Sequence, residues 1–149
     1  IPHLIFAGDG PFMKRMQKMV AELGLGAYIH FVGSVSSPQE LLYHSDLHVL
    51  SSETETVGLV TIEAALMGKP VIGATATGAE ELILNGQTGF LFENNNYQDL
   101  AEKIHVLLSD ASLRKRMGFE GKLFIQKYCT RNKIYTETRM LMDKLLKQL

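Results

Sequence analysis

The chain has 149 residues, of which 46 % are apolar and 21 % charged, and its 15 basic side chains balance 16 acidic ones. This is the composition of one globular domain with a buried core. The absence of a Lys/Arg stripe argues against nucleic acid as a partner. Apolar runs are short and interrupted by Gly, Pro or charge, too short to span a bilayer. A single cysteine, Cys129, excludes an internal disulfide and fits a reducing compartment, so a cytoplasmic home is expected.

Residues 3–7 (HLIFA) read as a strand, not as a signal peptide, because no basic segment precedes them. Gly8-Asp9-Gly10 closes that strand, and Pro11 suits the first turn of a helix, where its missing N–H costs nothing. Phe12, Met16, Met19, Val20 and Leu23 recur at helical spacing and are expected to be its buried stripe. A strand at 28–32, a short helix from Pro38 through His44, and strands at 46–50, 70–74 and 89–92 follow, with helices at 58–67 and 78–84 between them. Helices at 97–108 and 111–127 turn Leu100, Ile104, Leu107 and Leu108, then Leu113, Met117 and Phe124, toward the core. The last helix starts near Arg131, with Thr130 as N-cap, and places Ile134, Leu141, Leu145 and Leu149 at coiled-coil-like spacing. Alternation of strand and helix predicts an α/β fold: a doubly wound, Rossmann-like parallel sheet with helices on both faces and C-terminal helices appended. Such sheets bind ligands at the carboxyl ends of their strands, which directs attention to the loops Gly8–Pro11, Gly33–Pro38, Ser51–Gly58 and Ala74–Glu81.

The helix at 58–67, GLVTIEAALM, carries apolar residues in all directions and is expected to be buried all round, yet Glu63 sits in its middle. A carboxylate there is costly unless something pairs with it, and no Lys or Arg stands three or four positions away. A hydroxyl-rich ligand would satisfy it. Gly58 opens the helix after a strand, where free N–H groups and the positive dipole end favour an anion, and Glu55 lies in the preceding loop. A diphosphate on the N–H groups with glutamates on sugar hydroxyls would fit a nucleotide sugar. Glu53 reads as a solvated loop carboxylate, and a Glu53/Glu55 pair does not make a glycosidase dyad because adjacent loop positions do not face each other across a substrate. His44 and His48 straddle a helix end and a strand and so do not share a helix face.

SSETETVGLVTIEAALMGKPVIG resembles the donor motif of the group 1 family of retaining glycosyltransferases with two Rossmann-like domains, in which two glutamates are separated by seven residues. Ser52, Glu55, Gly58, Leu59, Glu63, Ala64, Gly68, Pro70 and Val71 fall in register with it, and AGDGP, FVGSVS and TGAEELILNGQTGFLF extend the resemblance along nearly the whole chain. The resemblance implies that Glu63 holds the ribose hydroxyls and that Glu55, the residue assigned to catalysis, contacts the transferred sugar. Gly58 and Leu59 would offer N–H groups to sugar and phosphate, and Ser34 and Val35 would lie near the base. Gly8, Asp9 and Gly10 would line the rim, and Val57 and Glu81 would border the donor pocket. It further implies transfer of a hexose-type sugar from a nucleotide diphosphate sugar with retention, without metal or other cofactor, to an acceptor glycan or lipid-linked glycan. No Asp-x-Asp occurs, in keeping with a metal-free site.

Two departures stand out: Thr56-Val57 replaces a Gly-Phe pair, and Thr77 replaces the first glycine of a Gly-Gly pair. The strand whose Arg and Lys grip the diphosphate has no counterpart, nor has the acceptor domain, so the sequence predicts a single nucleotide-sugar-binding domain, 1–149, that is a fragment of a longer enzyme. As such it is expected to be inactive alone, to dimerise or rearrange, and to be cytoplasmic or peripheral at the inner face of the membrane. A non-catalytic nucleotide-sugar-binding module and, with less support, a nucleotide-sugar epimerase are the competing readings.

Overall fold

The computed structural model describes residues 1–52, 54–56 and 58–146. Two compact units divide the chain, Ile1–Leu41 and Leu42–Leu149. In the first, the apolar run after His3 forms β1 (Leu4–Ala7) and pairs in parallel with β2 (Ile29–Gly33), Phe6 opposite Phe31 with their rings stacked 5.2 Å apart. Helix α1 (Met13–Glu22) connects them. Its apolar stripe is not buried as expected: Met13, Met16 and Val20 are half-buried, but Phe12, Met19 and Leu23 are 65 %, 51 % and 64 % exposed. A two-stranded ribbon about 10 Å wide offers a seat for one row of side chains, not for a wide stripe. Helix α2 (Pro38–His44) follows, and its Leu42 is buried.

The second unit holds the core. Strands β3 (His48–Leu50), β4 (Val71–Ala74) and β5 (Gly89–Phe92) form a parallel sheet in that order, His48 opposite Val71 and Ile72 opposite Phe90. All four residues of β4 are buried, which is why its sequence is a continuous apolar run and not an alternation. Its side chains nonetheless go to opposite faces. Val71 packs into a cluster with Leu42, Ala64, Ala65, Ala79, Leu82, Ile83 and Ile125. Ile72 and Ala74 pack into another with Phe92, Leu107 and Met117. The first cluster is supplied by α3 (Leu59–Leu66), α4 (Ala79–Leu82) and the later turns of α6 (Ala111–Tyr128), the second by α5 (Tyr97–Ser109) and the early turns of α6. Helices therefore cover both faces of a central strand, the layering of an α/β Rossmann-like fold.

One feature departs from the single sheet expected. Among the described residues no ladder joins β1 or β2 to β3, β4 or β5, and the parallel strands form two sheets. The expected helix limits hold to within a few residues, because caps mark them: Asn96 Oδ1 accepts from Asp99 N at 3.0 Å, and Asp110 Oδ1 from Leu113 N at 2.9 Å. Helix α7 (Arg131–Leu146) differs most. Ile134, Leu141 and Leu145 are 54–58 % exposed, so the seam suggested by their spacing meets no partner here, and Leu149 lies outside the described residues. Among those residues, no helix is long and apolar enough to cross a membrane.

Candidate functional site

Each unit places sequence-predicted residues at the carboxyl ends of its parallel strands. In the first, Gly8 leaves β1 with φ +128° and donates its N–H to Gly33 O at 2.7 Å, which brings the Gly8–Gly10 loop beside Ser34 and Val35 at the end of β2. The carboxylate of Asp9 accepts from Gly10 N at 2.7 Å and so shapes its own turn. Ser34 is exposed and Val35 half-buried.

In the second unit, the loop after β3 leads through Glu55 to Gly58 and the start of α3. Gly58 is buried with φ +62°, a conformation that costs an L-residue about 1–2 kcal/mol. A Cβ there would also lie 3.0 Å from Leu50 Cδ2 and 3.3 Å from Thr61 Oγ1, so only glycine fits. The first turn-closing bond of α3 runs from Thr61 N to Gly58 O at 2.8 Å, which leaves the preceding amides, including Leu59, at the helix start without an intrahelical acceptor. Glu55 answers one of them: its Oε1 accepts from Gly58 N and from Thr56 N, each at 3.1 Å. Oε1 of Glu55 is thereby folded onto the positive end of α3. Val57 lies outside the described residues, as does Glu53.

Glu63 is half-buried on α3, about 6 Å along the axis from Leu59. Its Oε2 is buried and has no hydrogen-bond partner among the described residues. The helix is not buried all round, however. Leu59, Val60 and Leu66 are 69 %, 37 % and 40 % exposed, because α3 is flanked by the sheet and α6 and its remaining side is uncovered. Two further polar atoms share the condition of Glu63 Oε2. Among the described residues Thr61 Oγ1, on a residue only 1 % exposed, has no partner, and neither has His48 Nε2 on β3. Burial pushes the His48 imidazole down to about 4 from its ordinary 6.5. His44, by contrast, is exposed at the end of α2, its ring edge-on to Tyr43.

Glu81 is exposed in the first turn of α4. Its neighbour Glu80 does what sequence reasoning did not assign: its Oε1 accepts from Ala76 N at 3.1 Å and braces the turn before α4. The signal was present in the acidic pair Glu80-Glu81 following a turn, but spacing alone does not say which carboxylate turns back. Thr77, which stands in place of the first glycine of the Gly-Gly pair, turns inward. Its Oγ1 donates to Ala74 O at 2.8 Å and accepts from Ala79 N at 3.2 Å.

The parallel strands, the helices on both faces of β4 and the glycine-opened α3 define a Rossmann-like α/β protein. The chain belongs to the group 1 glycosyl transferases, whose family model matches residues 2–124. It is 32 % identical over 144 residues to N-acetyl-alpha-D-glucosaminyl L-malate synthase of Bacillus anthracis, covering 97 % of this chain and 38 % of that protein. Anabaena Alr3699/HepE, solved in complex with UDP-glucose, superposes with a TM-score of 0.82 at 27 % identity over 97 % of this chain and 41 % of its own. The C-terminal domain of the group 1 family protein LpcC from Francisella tularensis has the same fold, with a TM-score of 0.75 at 23 % identity, covering 88 % of this chain and 89 % of that one. The chain spans roughly a third of the length of the curated relatives it matches, 38 %, 30 % and 35 % for three of them.

Proposed function

We propose that this chain binds a nucleotide diphosphate sugar and serves as the donor half of a retaining glycosyltransferase that passes a hexose-type sugar to a glycan or lipid-linked acceptor. The observation that carries the reading is Glu63 Oε2, buried without a partner on a helix whose N-terminus is built for an anion. A ribose hydroxyl donating to that oxygen would supply the missing bond, worth about 1.5–3 kcal/mol to a charged acceptor. The amides at the start of α3 then face the phosphate and sugar, and Glu55, three residues before Gly58, reaches the transferred sugar. That Alr3699/HepE was solved with UDP-glucose supports this assignment for a chain of the same fold. In the proposed reaction the leaving diphosphate takes the acceptor proton, so the protein contributes positioning and charge stabilisation and no nucleophile. Neither a metal nor another cofactor has a part in it.

The test is calorimetric titration with UDP-glucose, UDP-N-acetylglucosamine and GDP-mannose. One of them is expected to bind, and Glu63→Gln to weaken that binding tenfold to a hundredfold. Equal affinity in the variant would reject the assignment of Glu63.

A further inference from the structure

The loop that carries Glu55 is held from outside, by the turn between β4 and α4. Gly78 N donates to Glu55 O at 2.7 Å. A Cβ built on Gly78 would run into the carbonyl oxygen of Thr56, so two successive peptide groups of the Glu55 loop lie directly against this one glycine. The turn that presents Gly78 is itself locked. Thr77 Oγ1 ties Ala74 O to Ala79 N, and Glu80 Oε1 holds Ala76 N while Ala76 sits at φ +58°, a conformation uncommon outside glycine. On the other side, Glu55 Oε1 is fixed to the Thr56 and Gly58 amides. Glu55 is therefore placed by backbone at both its carbonyl and its carboxylate, and the outer support comes from a turn that lies beyond the donor motif.

We infer that Gly78 is a positioning residue for Glu55, and that Thr77, in place of a glycine, is the lock that keeps Gly78 in reach. The inference rests on the donor-site reading above, in which Glu55 contacts the transferred sugar. Alanine at 78 must displace the Thr56 carbonyl, and with it the Glu55 loop, by a distance on the order of an ångström, enough to cost a well-placed group up to a hundredfold. The nucleotide half of the ligand, held by Glu63 and the α3 amides, should scarcely notice.

The experiment is a double-mutant cycle on the protein, Glu55→Gln against Gly78→Ala, read by calorimetry. Its probes are whichever of UDP-glucose, UDP-N-acetylglucosamine and GDP-mannose binds the wild type, and the matching nucleoside diphosphate without sugar. Gly78→Ala is expected to weaken the sugar nucleotide tenfold or more and the bare diphosphate less than threefold. In the double variant it should add nothing to the loss from Glu55→Gln. Additive losses, or an equal loss for both ligands, would overturn the inference and leave a merely structural glycine. Should Gly78→Ala fail to fold, Thr77→Val removes the two turn bonds with little change in volume and must show the same coupling to Glu55 at smaller amplitude. If Glu55→Gln alone changes nothing, the sugar role of Glu55 is wrong and the inference falls with it. If no sugar nucleotide binds at all, the donor-site reading itself fails.

Discussion

Glu63 is expected to trade stability for binding. A carboxylate oxygen buried without a partner burdens the free protein, and a ligand hydroxyl would relieve it. Glu63→Gln should therefore raise the stability of the ligand-free protein by about 1 kcal/mol while weakening the sugar nucleotide. Denaturant melts of both forms read the first effect, and a loss of stability in the variant would mean that the oxygen is satisfied in solution. His48 makes a pH prediction. Its folded pKa of about 4 lies below the 6.5 of the unfolded chain, so between those values the unfolded state binds more protons. Stability is complete above about pH 6.5 and drains away as pH falls toward 4, by up to about 3 kcal/mol. His48→Leu should flatten that slope in melts at pH 7.5 and pH 5. An unchanged slope would show that the imidazole reaches water. Sequence reasoning picked out Glu63 because a charge on an apolar helix is anomalous by itself. It could not pick out His48 or Thr61, whose lack of partners depends on which neighbours the fold brings.

Elements were legible in proportion to how local their causes are. Strands β4 and β5 and helices α5 and α6 could be read from their apolar patterns within a few residues of their limits. The exposed faces of α1, α3 and α7 could not, since a stripe in the sequence does not say how wide a surface will meet it. Asp110 illustrates a local cause with wide effect. It ends α5 and caps α6, while Arg114, one turn on, donates to Leu107 O and Leu108 O at 2.6 and 2.9 Å. Asp110→Ala is expected to cost about 1 kcal/mol in urea melts; a loss near zero would mean that Arg114 holds the junction unaided. Gly58→Ala should cost about 1–2 kcal/mol from backbone conformation alone and detach Glu55 from the start of α3. A smaller loss would show that Gly58 relaxes out of its left-handed conformation in solution.

At the scale of the whole molecule, alternation of strand and helix gave the α/β class and the carboxyl-end rule gave the loops. What alternation does not encode is which strands share a ladder, and among the described residues the five strands fall into two parallel sheets. The site residues follow that division: Gly8, Asp9, Gly10, Ser34 and Val35 in the first unit, Glu55, Gly58, Leu59, Glu63 and Glu81 in the second. Membership of the group 1 glycosyl transferases rests on residues 2–124, whereas the donor reading rests on a single helix and the loop before it.

That reading has one decisive measurement: the affinity of the wild type and of Glu63→Gln for UDP-glucose, UDP-N-acetylglucosamine and GDP-mannose, titrated calorimetrically at pH 7.5. The account predicts that at least one binds and that the variant binds it ten to a hundred times more weakly. No binding by any of the three, or identical affinities in the two proteins, would contradict it.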